Sequence, residues 1–329
     1  MTMKMREAAL CLLGFAAACV LAAVSAALHA QSWPARPVRM IVPFGTGGGT
    51  DIQARLLAES FRQSTGQTFI TDNRAGAGGI IGAELAAQSP PDGYTILFTT
   101  ASLAVNTTLF AKTLKFDPRA DLAPVSWVSS TPLVLCVHPS VPARSVNDLI
   151  SLARKNPGRL NNGVNATGTT SHLAGEMLKQ MVGLDTVIIA FKGGGPSMQA
   201  LMTGEIDFLF ATGPVAATNL KVGRIRCLAV TSPKKSSAFP DLPTMASFVP
   251  GFEADNWYAM FFPRGTPQEI VGRMNQLIRT ALQNDKVATF YQREALDAIG
   301  SSPAELAELF EREVRKYAEV IRKANIKVQ

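Results

Sequence analysis

Reactive side chains are scarce in this chain. It has three histidines and four cysteines in 329 residues. Once the first thirty positions are set aside, only His138, His172, Cys136 and Cys227 remain. His172 and Glu176 stand at i, i+4, which is half of a metal site, and no third ligand is evident. No G-x-x-x-x-G-K-[ST] phosphate loop and no G-x-S-x-G nucleophile elbow occurs. Charge is also sparse, at 17% of residues, and the net charge of +7 is scattered along the chain. A basic stripe interleaved with aromatics is missing, which excludes nucleic acid as the expected partner. Beyond the N-terminus no apolar run approaches the ~20 residues of a membrane-spanning helix.

The N-terminus itself has the layout of a secretory signal. Lys4 and Arg6 precede an apolar run from Ala8 to Val24, and the small residues Ser25, Ala26, Ala27 and Ala30 follow. A signal peptide over residues 1–30 and export to the periplasm are expected. Export removes nicotinamide cofactors and ATP from consideration, so no cofactor is expected. Cys136 and Cys227 each lie inside a strand-like apolar run. Two separately buried thiols are favoured over a disulfide.

With 47% hydrophobic residues, the chain can bury a large core. Its length suits two domains. From Val38 to Thr100 strand and helix patterns alternate, beginning with a strand over Val38–Val42, which implies an α/β architecture with a parallel sheet. The first helix runs from about Asp51, with Thr50 as N-cap and Gln53 as its capping-box partner. Ala101–Trp127 is less regular. A strand over Leu133–Val137 is bounded by Pro132 and Pro139, and a second α/β series begins there. Ser145 caps a helix over Val146–Lys155. Pro196 suits the first position of a helix reaching Met202. Thr266 with Glu269 and Ser302 with Glu305 predict two further capping boxes. The division read from this pattern is discontinuous: residues 31–132 with 255–329, and residues 133–254. Two chain crossings between such units make a hinge.

Glycine-rich turns recur between strands and helix starts. They are Phe44-Gly-Thr-Gly-Gly-Gly-Thr-Asp51, Gly163–Ser171 and Phe191-Lys-Gly-Gly-Gly-Pro196. A turn of this kind aims backbone N–H groups outward, with the positive end of a helix dipole behind them. That is an anion site. The first turn lacks the third glycine of the dinucleotide fingerprint, since Thr50 stands there. Ser171 and His172 raise the alternative of an exported hydrolase, although sequence neighbours are not the spatial arrangement of a triad.

The ordered blocks Val42–Asp51, Asn73-Arg-Ala-Gly-Ala-Gly-Gly79, Pro91–Leu97, Gly168–Leu173, Phe191–Pro196, Leu201–Asp207, Asp241–Thr244 and Pro263–Pro267 resemble the Bug family. This family comprises substrate-binding proteins of tripartite tricarboxylate transporters, and the resemblance covers the chain beyond the leader. One departure is Met245–Gly251, which lacks the acidic residue usual there. The resemblance implies a type II periplasmic binding fold of two hinged α/β domains, with no enzymatic activity. It further implies a monomer that captures a small carboxylate, an organic acid or acidic amino acid, for membrane transporter subunits; a ligand-loaded partner of a membrane sensor kinase is the variant reading. The ligand-binding residues it implies are Phe44, Gly45, Thr46, Gly47, Gly48, Thr50 and Asp51; Ala101 and Ser102; Thr167, Thr169, Thr170, Ser171 and His172; and Lys192, Gly193 and Gly194.

Overall fold

The computed structural model describes residues 33–323 and 326, with 221, 233 and 237 excepted. The leader expected over residues 1–30 lies outside the described residues. The elements below belong to one compact unit, residues 37–329. None of the described helices is long and apolar enough to cross a membrane.

The strands in chain order are β1 (Val38–Val42), β2 (Phe69–Asn73), β3 (Thr95–Thr100), β4 (Leu122–Val137) and β5 (Asn161–Val164). They continue with β6 (Val187–Ala190), β7 (Phe208–Thr212), β8 (Arg226–Val230), β9 (Asp255–Pro263) and β10 (Asp297–Ala298). The helices begin with α1 (Gly49–Thr65), α2 (Ile80–Ala87), α3 (Ser102–Leu109), α4 (Pro118–Asp121), α5 (Val146–Lys155) and α6 (Thr170–Val182). They end with α7 (Gly194–Thr203), α8 (Gly213–Leu220), α9 (Gln268–Leu282), α10 (Asp285–Arg293) and α11 (Pro303–Lys323).

The expected βαβαβ unit forms, with β1 running parallel to both β2 and β3. It is then extended by antiparallel strands: β9 pairs with β3, and β4 with β9. A second set contains parallel β5, β6 and β7, while β7 and β8 each run antiparallel to β4. The end of the segment read as irregular and the strand expected from Leu133 are one 16-residue strand, preceded by α3 and α4. Up to Pro132 it pairs with β9; from Leu133 onward it pairs with β7 and β8. The chain therefore passes from one strand set to the other within a strand, not in a loop. Proline has no N–H to contribute to a ladder. The next amide, Leu133 N–H, donates to Thr231 Oγ1 at 2.8 Å, so the passage is held from the side.

Side chains alternate across β4, as a strand's period of two requires. Leu133, Leu135 and Val137 enter a core with α5, α6, Phe210 and Phe252. Val134 and Cys136 enter another core with Met198, Leu201 and Ala216. Both faces of this sheet are covered, which explains the unbroken apolar run in the sequence. Cys136 and Cys227 are register partners across β4 and β8 and are joined as a disulfide, which corrects the reading of two separate thiols. Neither strand reveals by its own pattern that it pairs with the other.

Candidate functional site

Helix α1 begins two residues earlier than expected, at Gly49. Its N-cap is Gly48, which has no side chain to offer. Thr50 lies inside the first turn, and Gln53 Nε2 reaches the Gly49 carbonyl at 3.4 Å. The consequence is an uncapped helix start. The Ile52 amide, which Thr50 was expected to satisfy, donates instead to the Gly48 carbonyl at 3.0 Å. Helix α7 likewise starts at Gly194 with glycine as N-cap, which puts Pro196 at its third position, not its first. Helix α6 is capped by Thr169, whose hydroxyl accepts from His172 N–H at 3.3 Å.

These starts converge. A cavity of about 30 Å³ is lined by Phe44, Gly48, Gly49, Thr50, Thr100, Ser102, Asn165, Thr169, Thr170, Gly194, Thr212 and Asn256. The first residues of α1, α3, α6 and α7 are in that lining, and Thr212 immediately precedes α8. Among these described residues none is ionisable, so what the lining itself offers an anion is the partial positive charge of helix ends. A space of this size holds roughly two waters. A larger cavity of about 500 Å³ runs past Ser130–Pro132, Tyr291 and Asp297. Its wall is built from β4, the flank of α10, strand β10 and the loop that carries Lys234 and Lys235, and no helix start is in its lining.

Of the residues implied by resemblance, Phe44, Gly48, Thr50, Ser102, Thr169, Thr170 and Gly194 line the cavity. The others do not and have neighbouring tasks. Gly45 N–H donates to the Lys192 carbonyl at 3.1 Å, and Gly193 N–H to the Asn165 carbonyl at 2.7 Å. The Thr46 carbonyl sits 2.7 Å from where a β-carbon on Gly195 would lie. The Thr167 carbonyl packs similarly against Gly78. Ala101 N–H donates to Trp257 in β9 at 3.1 Å. Asp51 accepts from Gly47 N–H at 3.0 Å and pairs with Arg55 at 2.9 Å. Burial opposes its charge, but the Arg55 and Gly47 hydrogen bonds prevail and hold the carboxyl below its ordinary range.

Ser171 and His172 are buried beneath the start of α6. The Ser171 hydroxyl has no hydrogen-bond partner. His172 Nδ1 accepts from Gly168 N–H at 3.3 Å, and Nε2 lies 4.0 Å from Glu176. Burial lowers the imidazole's pKa, with Glu176 pulling the other way and Lys179 adding to the fall. The pair therefore lacks the nucleophile–base hydrogen bond that a hydrolase needs.

Gly49, inside the first glycine turn, also lines the cavity, and the residues not anticipated are Thr100, Asn165, Thr212 and Asn256. Thr212-Gly213-Pro214 carries the same strand–glycine–helix signal as the recognised turns and was legible on that ground. Asn165 lies within the second glycine turn. Asn256 has no local signal: it enters the cleft only because β9 returns from the far end of the chain. Its Oδ1 accepts from Thr170 Oγ1 at 3.1 Å. Its Nδ2, the Thr212 hydroxyl and the Tyr258 hydroxyl behind them are buried without a partner.

Comparison with known proteins agrees with this architecture. Residues 53–326 match the family described as "Tripartite tricarboxylate transporter family receptor", TctC. Protein BugT of Bordetella pertussis is 35% identical over 311 residues, covering 94% of this chain and 95% of BugT. The R. palustris protein Rpa4515, solved with adipate, superposes with a TM-score of 0.87 at 36% identity, covering 90% of this chain and 99% of that one. MatC from Rhodopseudomonas palustris, solved with bound malate, gives 0.84 at 28% identity, covering 88% and 100%. The fold is that of the type II periplasmic binding proteins, and the family's role is solute binding. With its mixed strand sets, its helix starts gathered at one cleft and a match over most of its length, this chain belongs to the TctC family of tripartite tricarboxylate transporter receptors.

Proposed function

We propose that this protein is a periplasmic solute receptor that captures a small carboxylate and presents it to the membrane subunits of a tripartite tricarboxylate-type transporter. The observation that carries the reading is the convergence of helix N-termini on a cleft whose described lining is uncharged. Such a site attracts an anion through backbone amides and dipoles. Adipate and malate in two relatives, and the likeness to BugT, support it. The Cys136–Cys227 disulfide suits an oxidising compartment, as does the leader expected over residues 1–30.

In this reading residues 31–132 with 255–329 form one hinged domain and residues 133–254 the other. The molecule works as a monomer. Opening separates the Phe44–Thr50 turn from the Asn165–Thr170 and Lys192–Gly194 turns. Closure around the ligand removes water and strengthens the hydrogen bonds to it.

A thermal-shift screen of organic acids tests the proposal. A true ligand at ~100 times its Kd adds about 2.7 kcal/mol of stability. A screen in which sugars or amines raise the unfolding temperature and no carboxylate does would sink it.

A further inference from the structure

The larger cavity, about 500 Å³, is separate from the cleft: no described residue lines both. It opens beside a break in the sheet. Thr131 and Pro132 pair with β9 alone, while β10 stops at Ser130 and β7 begins at Leu133. Successive side chains of a strand point to opposite faces. Asn256 accordingly lines the cleft, whereas Asp255, one residue earlier on β9, lines the larger cavity. Pockets that hold small molecules run from about 300 to 1,000 Å³, so the space is of ligand size.

Unlike the cleft, this cavity is charged. Lys234 and Lys235 on the loop after β8, Asp255 on β9 and Asp297 on β10 all line it. Among the described residues no ion pair joins any two of them. Asp255 is the telling member. Its Oδ1 is buried without a hydrogen-bond partner. Lys316 is the cation that pulls on it, but that ammonium is already held by Glu253 at 3.6 Å and Glu313 at 3.9 Å. Burial, then Glu253, and further Glu313 and Asp297 oppose its charge. A buried carboxyl without a partner is costly, and a strongly perturbed one in a cavity marks a functional site.

The charges define what fits. A cation placed between Asp255 and Asp297 would relieve both carboxylates. A simple amine, however, is repelled by the two lysines, and a simple acid by the two aspartates. A metal ion has too few ligands, since no group of three potential metal-binding side chains occurs among the described residues. A molecule carrying both charges meets every requirement. We propose that this cavity is a second ligand site, for a small zwitterion that sets an ammonium group against Asp255 and Asp297 and an anionic group against Lys234 and Lys235.

Isothermal titration tests it with glycine, 4-aminobutyrate and 6-aminohexanoate, whose charges are increasingly far apart, and with butylamine and butyrate, which carry one charge each. The proteins are the parent, Asp255→Asn, and a double variant with Lys234→Ala and Lys235→Ala. The first change keeps the side chain's shape and the lysines are exposed, so both variants are expected to fold, and melting curves check it. The parent is expected to bind at least one of the three zwitterions with a Kd below about 1 mM, and at least about tenfold more tightly than either single-charge probe. Each variant weakens that zwitterion by at least about tenfold. The parent's affinity also rises from about pH 5 to about pH 7, because a ligand ammonium favours the ionised Asp255 carboxyl, and the rise is absent in Asp255→Asn. Unchanged zwitterion affinity in either variant overturns the proposal. So does butylamine or butyrate bound as tightly as the best zwitterion, a rise with pH that persists in Asp255→Asn, or failure of the parent to bind any of the three.

Discussion

The amide of Gly45 donates to the carbonyl of Lys192 at 3.1 Å, joining the turn after β1 to the turn after β6. The two turns stand on different strand sets, so under the proposed hinge this bond would form on closure and break on opening. A β-carbon on Gly45 would come within 2.5 Å of the Lys192 carbonyl oxygen, a backbone atom that cannot rotate away. A β-carbon on Gly193 would lie 3.1 Å from the Gly45 nitrogen.

Gly45→Ala is therefore expected to weaken organic-acid binding by at least about tenfold, 1.4 kcal/mol. The ligand-free unfolding temperature is expected to stay within a few degrees of the parent's. Gly194 contrasts with it: a β-carbon there meets nothing closer than 3.7 Å, so Gly194→Ala is expected to be the milder change. Titration of both variants with the same acid checks the order. A Gly45→Ala protein with parental affinity would show that closure does not depend on this approach.

Stability is expected to fall between pH 4 and pH 6 because of Asp255, at the start of β9 opposite Pro132. Burial, then Glu253 and further Glu313 and Asp297, push its carboxyl from 3.8 up to about 6, against the pull of Lys316. Between these values the folded protein holds a proton that the unfolded chain has released. Unfolding free energy thus decreases as pH rises through this window. At 1.36 kcal/mol per pH unit the loss is about 2–3 kcal/mol. Asp255→Asn is expected to flatten this part of the profile and to stabilise the protein at neutral pH. Urea melts from pH 4 to pH 7.5 measure both, and a variant profile parallel to the parent's would exclude Asp255 as the source.

Removing the disulfide should cost more than any single surface change. The bridge spans 91 positions of sequence. Replacing both Cys136 and Cys227 by alanine is expected to lower stability by roughly 2–4 kcal/mol. Denaturant melts of oxidised, reduced and double-alanine protein check this; identical midpoints would mean the bond contributes nothing in solution.

At the last helix, Ser302 and Glu305 form a reciprocal cap. Glu305 Oε2 accepts from Ser302 N–H at 2.8 Å, and Ser302 Oγ accepts from Glu305 N–H at 3.3 Å. Ser302→Ala is expected to cost about 1 kcal/mol. A chemical melt reads it directly, and an unchanged midpoint would count against the cap.

The same four-residue pattern at Thr266–Glu269 does not form that cap. Thr266 instead turns its hydroxyl to the Pro263 carbonyl at 2.8 Å, and α9 begins after Pro267. The two boxes look alike in sequence because a capping motif specifies only which bonds are available. Which bonds form depends on how the preceding strand delivers the chain. β9 ends at Pro263 and turns at once, and the nearest acceptor is its own last carbonyl.

Local pattern alone determined a good deal of this protein. It defined β1 and α5 to the residue, since Val38–Val42 is apolar apart from Arg39 and Ser145 caps a strongly two-faced helix. It also determined that glycine-rich turns precede several helices, because those backbone turns tolerate little else. Tertiary structure decided three things that no local window contains. It carried β4 straight through Pro132 from one strand set into the other, because the pairing partners β7, β8 and β9 arrive from positions up to 141 residues later in the chain. It paired Cys136 with Cys227 through that same register. And it placed Asn256 beside Thr170 and Thr212, giving the cleft a floor of side chains beneath its walls of backbone amides. Periodicity and caps are short-range consequences of the backbone, whereas register between distant strands is set by which complete packing buries the most apolar surface.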